Sequence, residues 1–259
     1  MKITTLVENT TSNEKLSCEH GLSLYIETDS HKILFDMGQT ELFAENAKKL
    51  GIDLAEVDIA ILSHGHYDHG GGLKKFLEIN EKAPIYISKY AFGAYYNRTE
   101  KYIGLDVSLR ESERMVYTDD VIEIVNGLRL YHCNDREKLY DLGSFGLNKK
   151  IGDSFVPDDF LHEQYLCIEE HGKKVLISGC SHKGILNIVE WFKPHVLIGG
   201  FHFSKLALDE TLENYANILD KFDTMYYTCH CTGIEQYRFM KKTMKNLDYV
   251  AVGDVLSII

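Results

Sequence analysis

The sequence predicts a mixed α/β domain in which strands alternate with helices. Three observations predict it: short apolar runs of strand length, segments with helical spacing of apolar residues between them, and repetition of this order in the second half. The chain has 259 residues, of which 44% are hydrophobic and 26% charged. This is the composition of a globular protein, and the length suits one large α/β domain. We therefore expect a single domain over residues 1–259.

The first half of the chain supplies the first strands and helices. Residues 57–62 are a short apolar run, as expected for a strand buried on both faces. Residues 40–50 place apolar side chains at helical spacing, beginning with Leu42 and Phe43. The predicted strands are 3–7, 22–27, 32–35 and 57–62, and the predicted helices are 40–50 and 73–79.

The second half repeats this order. Pro194 ends the helix predicted at 185–192, and a strand follows at once. The predicted strands are 174–178, 195–198, 224–227 and 249–252, and the predicted helices are 185–192, 210–222 and 235–244.

Residues 90–160 fit the alternation poorly, and we interpret them as a large aromatic-rich insertion with short strands at 121–125 and 128–132. Two interpretations remain open. The aromatic rings form a small core of their own, or they form a lid that stacks on a flat substrate while arginines bind an anionic group. The residues concerned are Tyr90, Phe92, Tyr95, Tyr96, Tyr102, Tyr117, Arg98, Arg110 and Arg114.

The charge balance and the cysteines restrict the partners and the compartment. The chain has 28 Lys and Arg against 39 Asp and Glu, a net charge of −11 with neutral histidines. Such a chain repels phosphate backbones, so we expect no nucleic-acid partner. We find no signal-peptide pattern and no membrane-spanning apolar run, and therefore expect no membrane partner and a cytoplasmic location. The six cysteines are expected to be reduced thiols.

A dense group of metal-binding residues follows the strand at 57–62. His64, His66, Asp68 and His69 lie within six residues. Imidazole and carboxylate together suit zinc, iron or manganese better than calcium or magnesium. Two imidazoles two residues apart can bind one ion, and Asp68 with His69 can bind a second ion beside it.

Further candidate ligands also follow predicted strands. In open α/β sheets the carboxyl ends of the strands form the edge where ligands bind. We expect the following residues at that edge: His64, His66, Asp68, His69, Cys180, His182, His202 and His230.

Several strings of the sequence carry a resemblance to a known family. SHGHYDHGGGL resembles the metal-binding motif of the metallo-β-lactamase superfamily. VENTT, EHGLSLYIET, FDMGQT, GCSHKGI, GGFHF and HCTG resemble a subgroup of metal-dependent hydrolases often labelled 7,8-dihydropterin-6-yl-methyl-4-(β-D-ribofuranosyl)aminobenzene-5′-phosphate synthase. The resemblance implies an αββα sandwich, with two mixed sheets flanked by helices, over nearly the whole chain.

The resemblance also implies a ligand set for two metal ions. His64 and His66 would bind the first ion, and Asp68, His69 and His230 the second. Cys180 stands where the superfamily expects a bridging aspartate. We expect Cys180 and His182 to be ligands, with His162 as the alternative source of the remaining imidazole.

Other residues are expected around the ions. Asp36 could accept the free N–H of a ligand imidazole. His20 and His202 are candidates for phosphate contact or for protonation of the leaving group. Asp68 and His202 are the expected catalytic side chains. Cys229 and Cys231 flank His230 and are expected to point away from it along a strand.

The expected function is hydrolysis by a metal-bound hydroxide. Two divalent ions, zinc before iron or manganese, can lower the pKa of a shared water from 15.7 towards about 7. The expected substrate is a small anionic ester, a phosphoester or phosphodiester of pterin-like or nucleotide-like character. The alternatives are a diiron redox enzyme and a non-catalytic sensor of a metal-bound ligand.

Overall fold

The structure is a computed structural model that describes residues 1–258. Over this range the helices are α1 (Leu42–Lys49), α2 (Tyr67–Gly70), α3 (Leu73–Ile79), α4 (Ile185–Phe192), α5 (Glu210–Leu219) and α6 (Ile234–Met240). The strands are β1 (Lys2–Val7), β2 (Ser23–Glu27), β3 (Lys32–Phe35), β4 (Ile59–Ile61), β5 (Ile85–Ser88), β6 (Tyr95–Asn97), β7 (Lys101–Tyr102), β8 (Met115–Thr118), β9 (Val121–Val125), β10 (Leu128–Tyr131), β11 (Leu147–Ile151), β12 (Ser154–Pro157), β13 (Tyr165–Glu170), β14 (Lys173–Ile177), β15 (Val196–Gly199), β16 (Met225–Thr228), β17 (Leu247–Tyr249) and β18 (Val255–Ser257).

Two seven-stranded mixed sheets form the centre of the fold. The first sheet has the order β18-β1-β2-β3-β4-β5-β8, and the second has the order β17-β16-β15-β14-β13-β10-β9. In the first sheet β3, β4, β5 and β8 run parallel, and in the second sheet β14 to β17 run parallel. Each sheet therefore has its own edge of carboxyl strand ends, and such edges bind ligands.

Three apolar clusters hold the layers together. One cluster packs α1 and α3 on the outer face of the first sheet, and a second packs α4, α5 and α6 on the outer face of the second. The third lies between the sheets and includes Phe35, Ile61, Val175 and Ile198. Because both faces of each sheet are covered, β4 is buried along its whole length. The expected αββα sandwich is confirmed.

Residues 90–160 are distributed over three sheets. β8 adds to the edge of the first sheet, and β9 with β10 adds to the edge of the second. β6, β7, β11 and β12 form a separate four-stranded sheet in the order β12-β11-β6-β7. Tyr95, Ile103, Leu147 and Phe160 form a small apolar cluster beneath it.

The end of the chain differs from the prediction. A strand was predicted at 249–252, but β17 ends at Tyr249 and the chain forms β18 further on. The backbone N–H of Val252 donates to the Thr10 carbonyl, and Asp254 bends the chain back by accepting from the N–H of Ala251. β18 then pairs with β1 and forms one edge of the first sheet.

No helix within residues 1–258 combines the length and the apolar character needed to cross a lipid bilayer.

Candidate metal centre

A cavity of about 280 Å³ lies where the carboxyl strand ends of the two sheets meet. The segment after β4 carries the side chains from His64 to His69, and the segments after β14, β15 and β16 carry those from Cys180 to His230. Eight expected site residues line it or contact its lining residues: His64, His66, Asp68, His69, Cys180, His182, His202 and His230. Residues distant in sequence therefore meet at the carboxyl ends of the strands, where the sequence placed them.

Three imidazoles form a first group of donors. One ring nitrogen from each of His64, His66 and His182 lies within 4.8 Å of the others. The Nε2 atoms of His64 and His182 are 3.3 Å apart. His66 Nε2 and His182 Nδ1 are buried and have no hydrogen-bond partner. Buried polar atoms are nearly always paired, so the free His66 Nε2 atom and the facing Nε2 atoms of His64 and His182 fit a bound ion, whereas His182 Nδ1 points elsewhere.

A second group joins a carboxylate, two imidazoles and a thiol. His69 Nε2 is 3.3 Å from His230 Nε2 and 3.2 Å from Cys180 Sγ. Asp68 Oδ2 is 3.4 Å from His230 Nε2 and 4.0 Å from His69 Nε2. Cys180 also shares a group with His64 and His69, and therefore lies between the two groups. Nitrogen, oxygen and sulfur donors of this kind fit a zinc-type cation.

Asp36 fixes the orientation of two of these rings, as the sequence predicted for one. Its Oδ2 atom is 2.6 Å from His69 Nδ1 and accepts from Ser63 Oγ at 2.7 Å, while its Oδ1 atom accepts from the Ser63 N–H at 2.7 Å. Since the Ser63 hydroxyl donates to Asp36, it accepts from His64 Nδ1 at 2.8 Å. Both rings therefore carry the proton on Nδ1 and present the Nε2 lone pair to the site.

Asn9 and Glu8 hold His230 from the other side. His230 Nδ1 donates to Asn9 Oδ1 at 2.8 Å, and the His230 backbone N–H donates to Glu8 Oε1 at 2.7 Å. The φ angle of His230 is 50°, a left-handed conformation. The hydrogen bond from its N–H stabilises this turn, which aims the Nε2 atom at Asp68.

Glu163 and Phe160 position His182. Glu163 accepts from the backbone N–H groups of His182 and Lys183 at 2.6 Å and 3.0 Å. The Phe160 ring stacks on the His182 imidazole with a centroid separation of 4.6 Å. These contacts fix the segment that follows β14.

His162 uses both ring nitrogens within the protein. Its Nδ1 accepts from the Gly65 N–H at 2.9 Å, and its Nε2 donates to Asp158 Oδ2 at 3.1 Å. It thus supports the loop between His64 and His66, whereas His182 directs its Nε2 atom at His64 Nε2, 3.3 Å away. Of the two alternatives, the geometry favours His182 as the third imidazole.

Burial keeps most of these imidazoles neutral. It lowers the pKa of His66 to about 3 and that of His230 to about 4, and it holds the pKa values of His64 and His182 well below the usual histidine value. A neutral imidazole has the lone pair that a metal needs. His69 differs, because the charges of Asp36 and Asp68 outweigh its burial and raise its pKa.

The acidic donors respond to opposite influences. Burial favours the neutral form of Asp68, but the charge of His69 and the hydrogen bond from His20 hold its pKa well below the usual range. Burial, reinforced by Cys231, raises the pKa of the Cys180 thiol. A thiolate at Cys180 therefore requires a cation in contact with it.

Cys231 lies differently from the prediction. Both neighbours of His230 were expected to point away along a strand, but β16 ends at Thr228 and a 3₁₀ turn covers His230–Thr232. The turn brings Cys231 Sγ within 4.8 Å of Cys180 Sγ and a His230 nitrogen. Cys229 does point away and packs in the core between the sheets.

His20 and His202 both line the cavity. His20 Nε2 is 3.2 Å from Asp68 Oδ2, and Asn9 Nδ2 donates to His20 Nδ1 at 3.2 Å. His202 lies against His182 with a centroid separation of 4.4 Å, and its Nδ1 atom is buried without a partner.

The residues of the insertion contribute to the site in an unexpected way. Asn97, Lys101, Ile103 and Leu147 line the cavity, whereas the six aromatic residues named above are absent from its described lining. Arg114 donates to the backbone carbonyls of Asn80 and Ala83 and is absent from the described lining of the cavity. Of the six aromatic residues, Tyr95 joins the small apolar cluster and Phe92 packs in the core of the first sheet, whereas Tyr90, Tyr102 and Tyr117 are exposed. The aromatic rings therefore form neither a single core of their own nor the described lining of the cavity.

Sequence reasoning missed several residues that shape the site. It gave no role to Asn9, Glu8, Ser63 or Glu163, all of which position an imidazole or its backbone. Glu8 and Asn9 lie in the VENTT string that carried part of the resemblance. The resemblance of that string to the family was the signal that could have indicated Glu8 and Asn9 as site residues.

Comparison with known proteins gives one consistent result. The model of the metallo-β-lactamase superfamily matches residues 16–222. An uncharacterized protein of Methanocaldococcus jannaschii is 31% identical, with 98% of each chain covered. The 7,8-dihydropterin-6-methyl-4-(β-D-ribofuranosyl)-aminobenzene-5′-phosphate synthase of the same organism is 30% identical over 99% of this chain and 96% of that protein. A solved structure of a metal-dependent hydrolase of the β-lactamase superfamily superposes with a TM-score of 0.84 at 28% identity, covering 100% of this chain and 99% of that one.

Proposed function

Since the chain belongs to the metallo-β-lactamase superfamily of metal-dependent hydrolases, we propose that it hydrolyses a small anionic phosphoester or phosphodiester with two divalent cations. The observation that carries this proposal is the convergence of two donor groups on one cavity of about 280 Å³. The volume suits a small molecule.

Each cation has its own set of donors in this proposal. His64, His66 and His182 would hold the first, and Asp68, His69 and His230 would hold the second, with Cys180 between them. The imidazole-rich donors with one thiol favour zinc over iron or manganese. When bound, two such cations lower the pKa of water and polarise the oxygen of the bond under attack.

His20 and His202 are proposed to act on the substrate. Asn9 donates to His20 Nδ1, so the neutral His20 ring carries its proton on Nε2. That proton can be donated to a phosphate oxygen. Burial lowers the pKa of His202 to about 4 in the free protein, so its buried, unpartnered Nδ1 atom would hold the proton for the leaving group once an anionic substrate lies beside it. Asp68 acts in catalysis by holding the second cation, and it accepts the His20 Nε2 proton until a phosphate oxygen replaces it as the acceptor.

The substrate class rests on charge more than on ring stacking. The archaeal relative at 30% identity is named as a synthase of a 5′-phosphate, which supports a phosphate-bearing substrate of pterin-like or nucleotide-like character. Among the described lining residues, Tyr67 provides the one phenol ring, and the Lys101 ammonium lies 4.7 Å from its centroid. The proposal therefore makes the phosphate the group that the site recognises.

The proposed setting is the cytoplasm, with no nucleic-acid or membrane partner. All six cysteines are free thiols, five of them buried, and a reducing compartment maintains such thiols. The net charge of −11 disfavours binding to phosphate polymers and anionic lipid surfaces.

The test combines metal analysis with a substrate panel. The wild-type protein should hold two metal ions per chain and hydrolyse a phosphomonoester or phosphodiester in preference to lactones and thioesters. His66→Ala and Asp68→Ala should lose metal and turnover together, whereas the exposed control His171→Ala should keep both. Full turnover by metal-free Asp68→Ala protein would refute the proposal, and a redox-active diiron spectrum would favour the redox alternative.

A further inference from the structure

We propose that Lys101 and Lys205 form an anion-binding subsite, here called the lysine subsite, that binds a second phosphate of the substrate away from the scissile bond. This inference rests on the proposed function, because it specifies the substrate of the same site. It divides the substrate into a scissile ester at the metal donors and a remote anionic group at the lysines.

The lysine subsite lies between two cavities. Lys101 and Lys205 line the cavity of the metal donors and also a neighbouring cavity of about 370 Å³. Arg98 and Glu100 line this second cavity, so its described lining holds three cationic side chains and one carboxylate. Such a balance is unusual for a chain with a net charge of −11. A substrate that fills the first cavity and extends into the second lies against both lysine side chains.

The elements that carry the metal donors also position the two lysines. The Lys101 ammonium donates to the Tyr67 hydroxyl at 2.8 Å, and Tyr67 stands between His66 and Asp68 in the chain. Lys205 follows Ser204, whose N–H donates to the carbonyl of Cys231 at 3.0 Å. This contact ties Lys205 to the turn that carries His230. The positions of the two lysines relative to the proposed metal donors are thus set by the fold.

Neither ammonium group has a carboxylate partner within the described chain, although other lysines do. Lys241 pairs with Asp248 at 2.8 Å, and Lys149 pairs with Asp159. The partner of Lys101 is a neutral hydroxyl, and Lys205 forms no ion pair among residues 1–258. Two uncompensated ammonium groups are suited to a phosphate.

A matched pair of chromogenic substrates tests the proposal on the metal-loaded protein. Thymidine 5′-(p-nitrophenyl phosphate) and its 3′-phosphorylated form share the scissile bond and differ in one remote phosphate. We expect the 3′-phosphate to lower KM by about tenfold, since hydrogen bonds to charged groups are worth a factor of this order. Lys101→Met and Lys205→Met should remove most of this advantage, measured within each variant as the ratio of the KM values of the two esters.

The methionine variants keep the aliphatic stem and remove the charge, so the packing of Lys101 on Tyr67 is retained. Lys245→Met is the matched control, because Lys245 is exposed and precedes the amino end of β17, whereas the proposed metal donors follow the carboxyl ends of the strands. Equal KM values for the two esters in the wild-type protein would overturn the proposal. So would an equal effect of Lys245→Met.

A binding measurement separates failure of the subsite from failure of the proposed function. Inorganic phosphate is titrated into the metal-free full chain and followed by ³¹P NMR line broadening. We expect binding to weaken by about tenfold in each of Lys101→Met and Lys205→Met and to be unchanged in Lys245→Met. If neither ester is hydrolysed, this result still decides on the lysine subsite. Absence of phosphate binding, or equal binding by all variants, would refute it.

Discussion

Replacing Asp36 by asparagine should weaken metal binding although Asp36 itself is outside the two donor groups. Asp36 is fully buried, and its two oxygens accept three hydrogen bonds, from Ser63 N–H, Ser63 Oγ and His69 Nδ1. An asparagine retains one acceptor oxygen. If that oxygen faces the Ser63 N–H, the new NH₂ group lies where Oδ2 accepted from His69 Nδ1.

The consequence is a change of tautomer. A donor at 2.6 Å from His69 Nδ1 favours the ring with its proton on Nε2, so the lone pair leaves the site and a hydrogen takes its place. The Ser63 hydroxyl loses its acceptor and can donate to His64 Nδ1, which disturbs a second ring in the same sense. Loss of such a supporting carboxylate weakens metal affinity by about 10- to 100-fold, or about 1.4–2.8 kcal/mol.

The assay is competition with a chromogenic chelator at pH 7.5, with zinc as the metal, on wild-type and Asp36→Asn proteins. Asp53→Asn is the control, because Asp53 also accepts a backbone N–H, from Ala55 at 3.0 Å, but caps a turn away from the site. Circular dichroism establishes that both variants are folded. Zinc affinity of Asp36→Asn within twofold of wild type would refute the tautomer argument.

Three further predictions follow from the same geometry. His182→Ala should lose the metal held by the first donor group, whereas His162→Ala should keep two metals per chain and unfold at lower urea concentration; equal metal loss in both variants would contradict the assignment of the third imidazole. Cys180→Ser should abolish the near-ultraviolet sulfur-to-cobalt charge-transfer band of the cobalt-substituted protein, and a band that persists would show that Cys180 is no ligand. The metal-free protein should lose stability as the pH falls from about 6.5 to about 4, because burial lowers the folded-state pKa values of His66 and His230 and the unfolded chain therefore takes up protons first. At pH 5.5 each of the two histidines should lower the free energy of unfolding by about 1.4 kcal/mol. A free energy of urea unfolding that stays constant over this pH range would contradict the prediction.

The proximity of the proposed donor residues could be predicted from the sequence, whereas the residues that contact them could not. His64, His66, Asp68 and His69 follow a buried strand at short spacing, and strand-end geometry alone places them at one edge. The partner of each ring depends instead on contacts between segments far apart in the chain. Asn9 reaches His230 across 221 residues, and no local pattern predicts such a contact.

Backbone conformation explains the error at Cys231. Alternation along a strand would have turned Cys231 away from His230, but the left-handed φ angle of 50° at His230 ends the alternation there. A non-glycine residue in this conformation is uncommon and is not evident from the sequence. The edge strands β8 and β18 were missed because they are short and exist through pairing with distant strands.

The two donor groups draw on both halves of the sandwich, and this has a consequence for assembly. His69 follows a strand of the first sheet and His230 a strand of the second, 161 residues later. A cation bound by both residues would be a cross-link that closes a long loop. Bringing the ends of such a loop together costs the unfolded chain about 4–5 kcal/mol of conformational entropy. During synthesis the amino-terminal donors leave the ribosome first, yet full coordination waits until His230 has emerged. Occupancy of the proposed site by a cation would therefore report that both halves of the protein have docked.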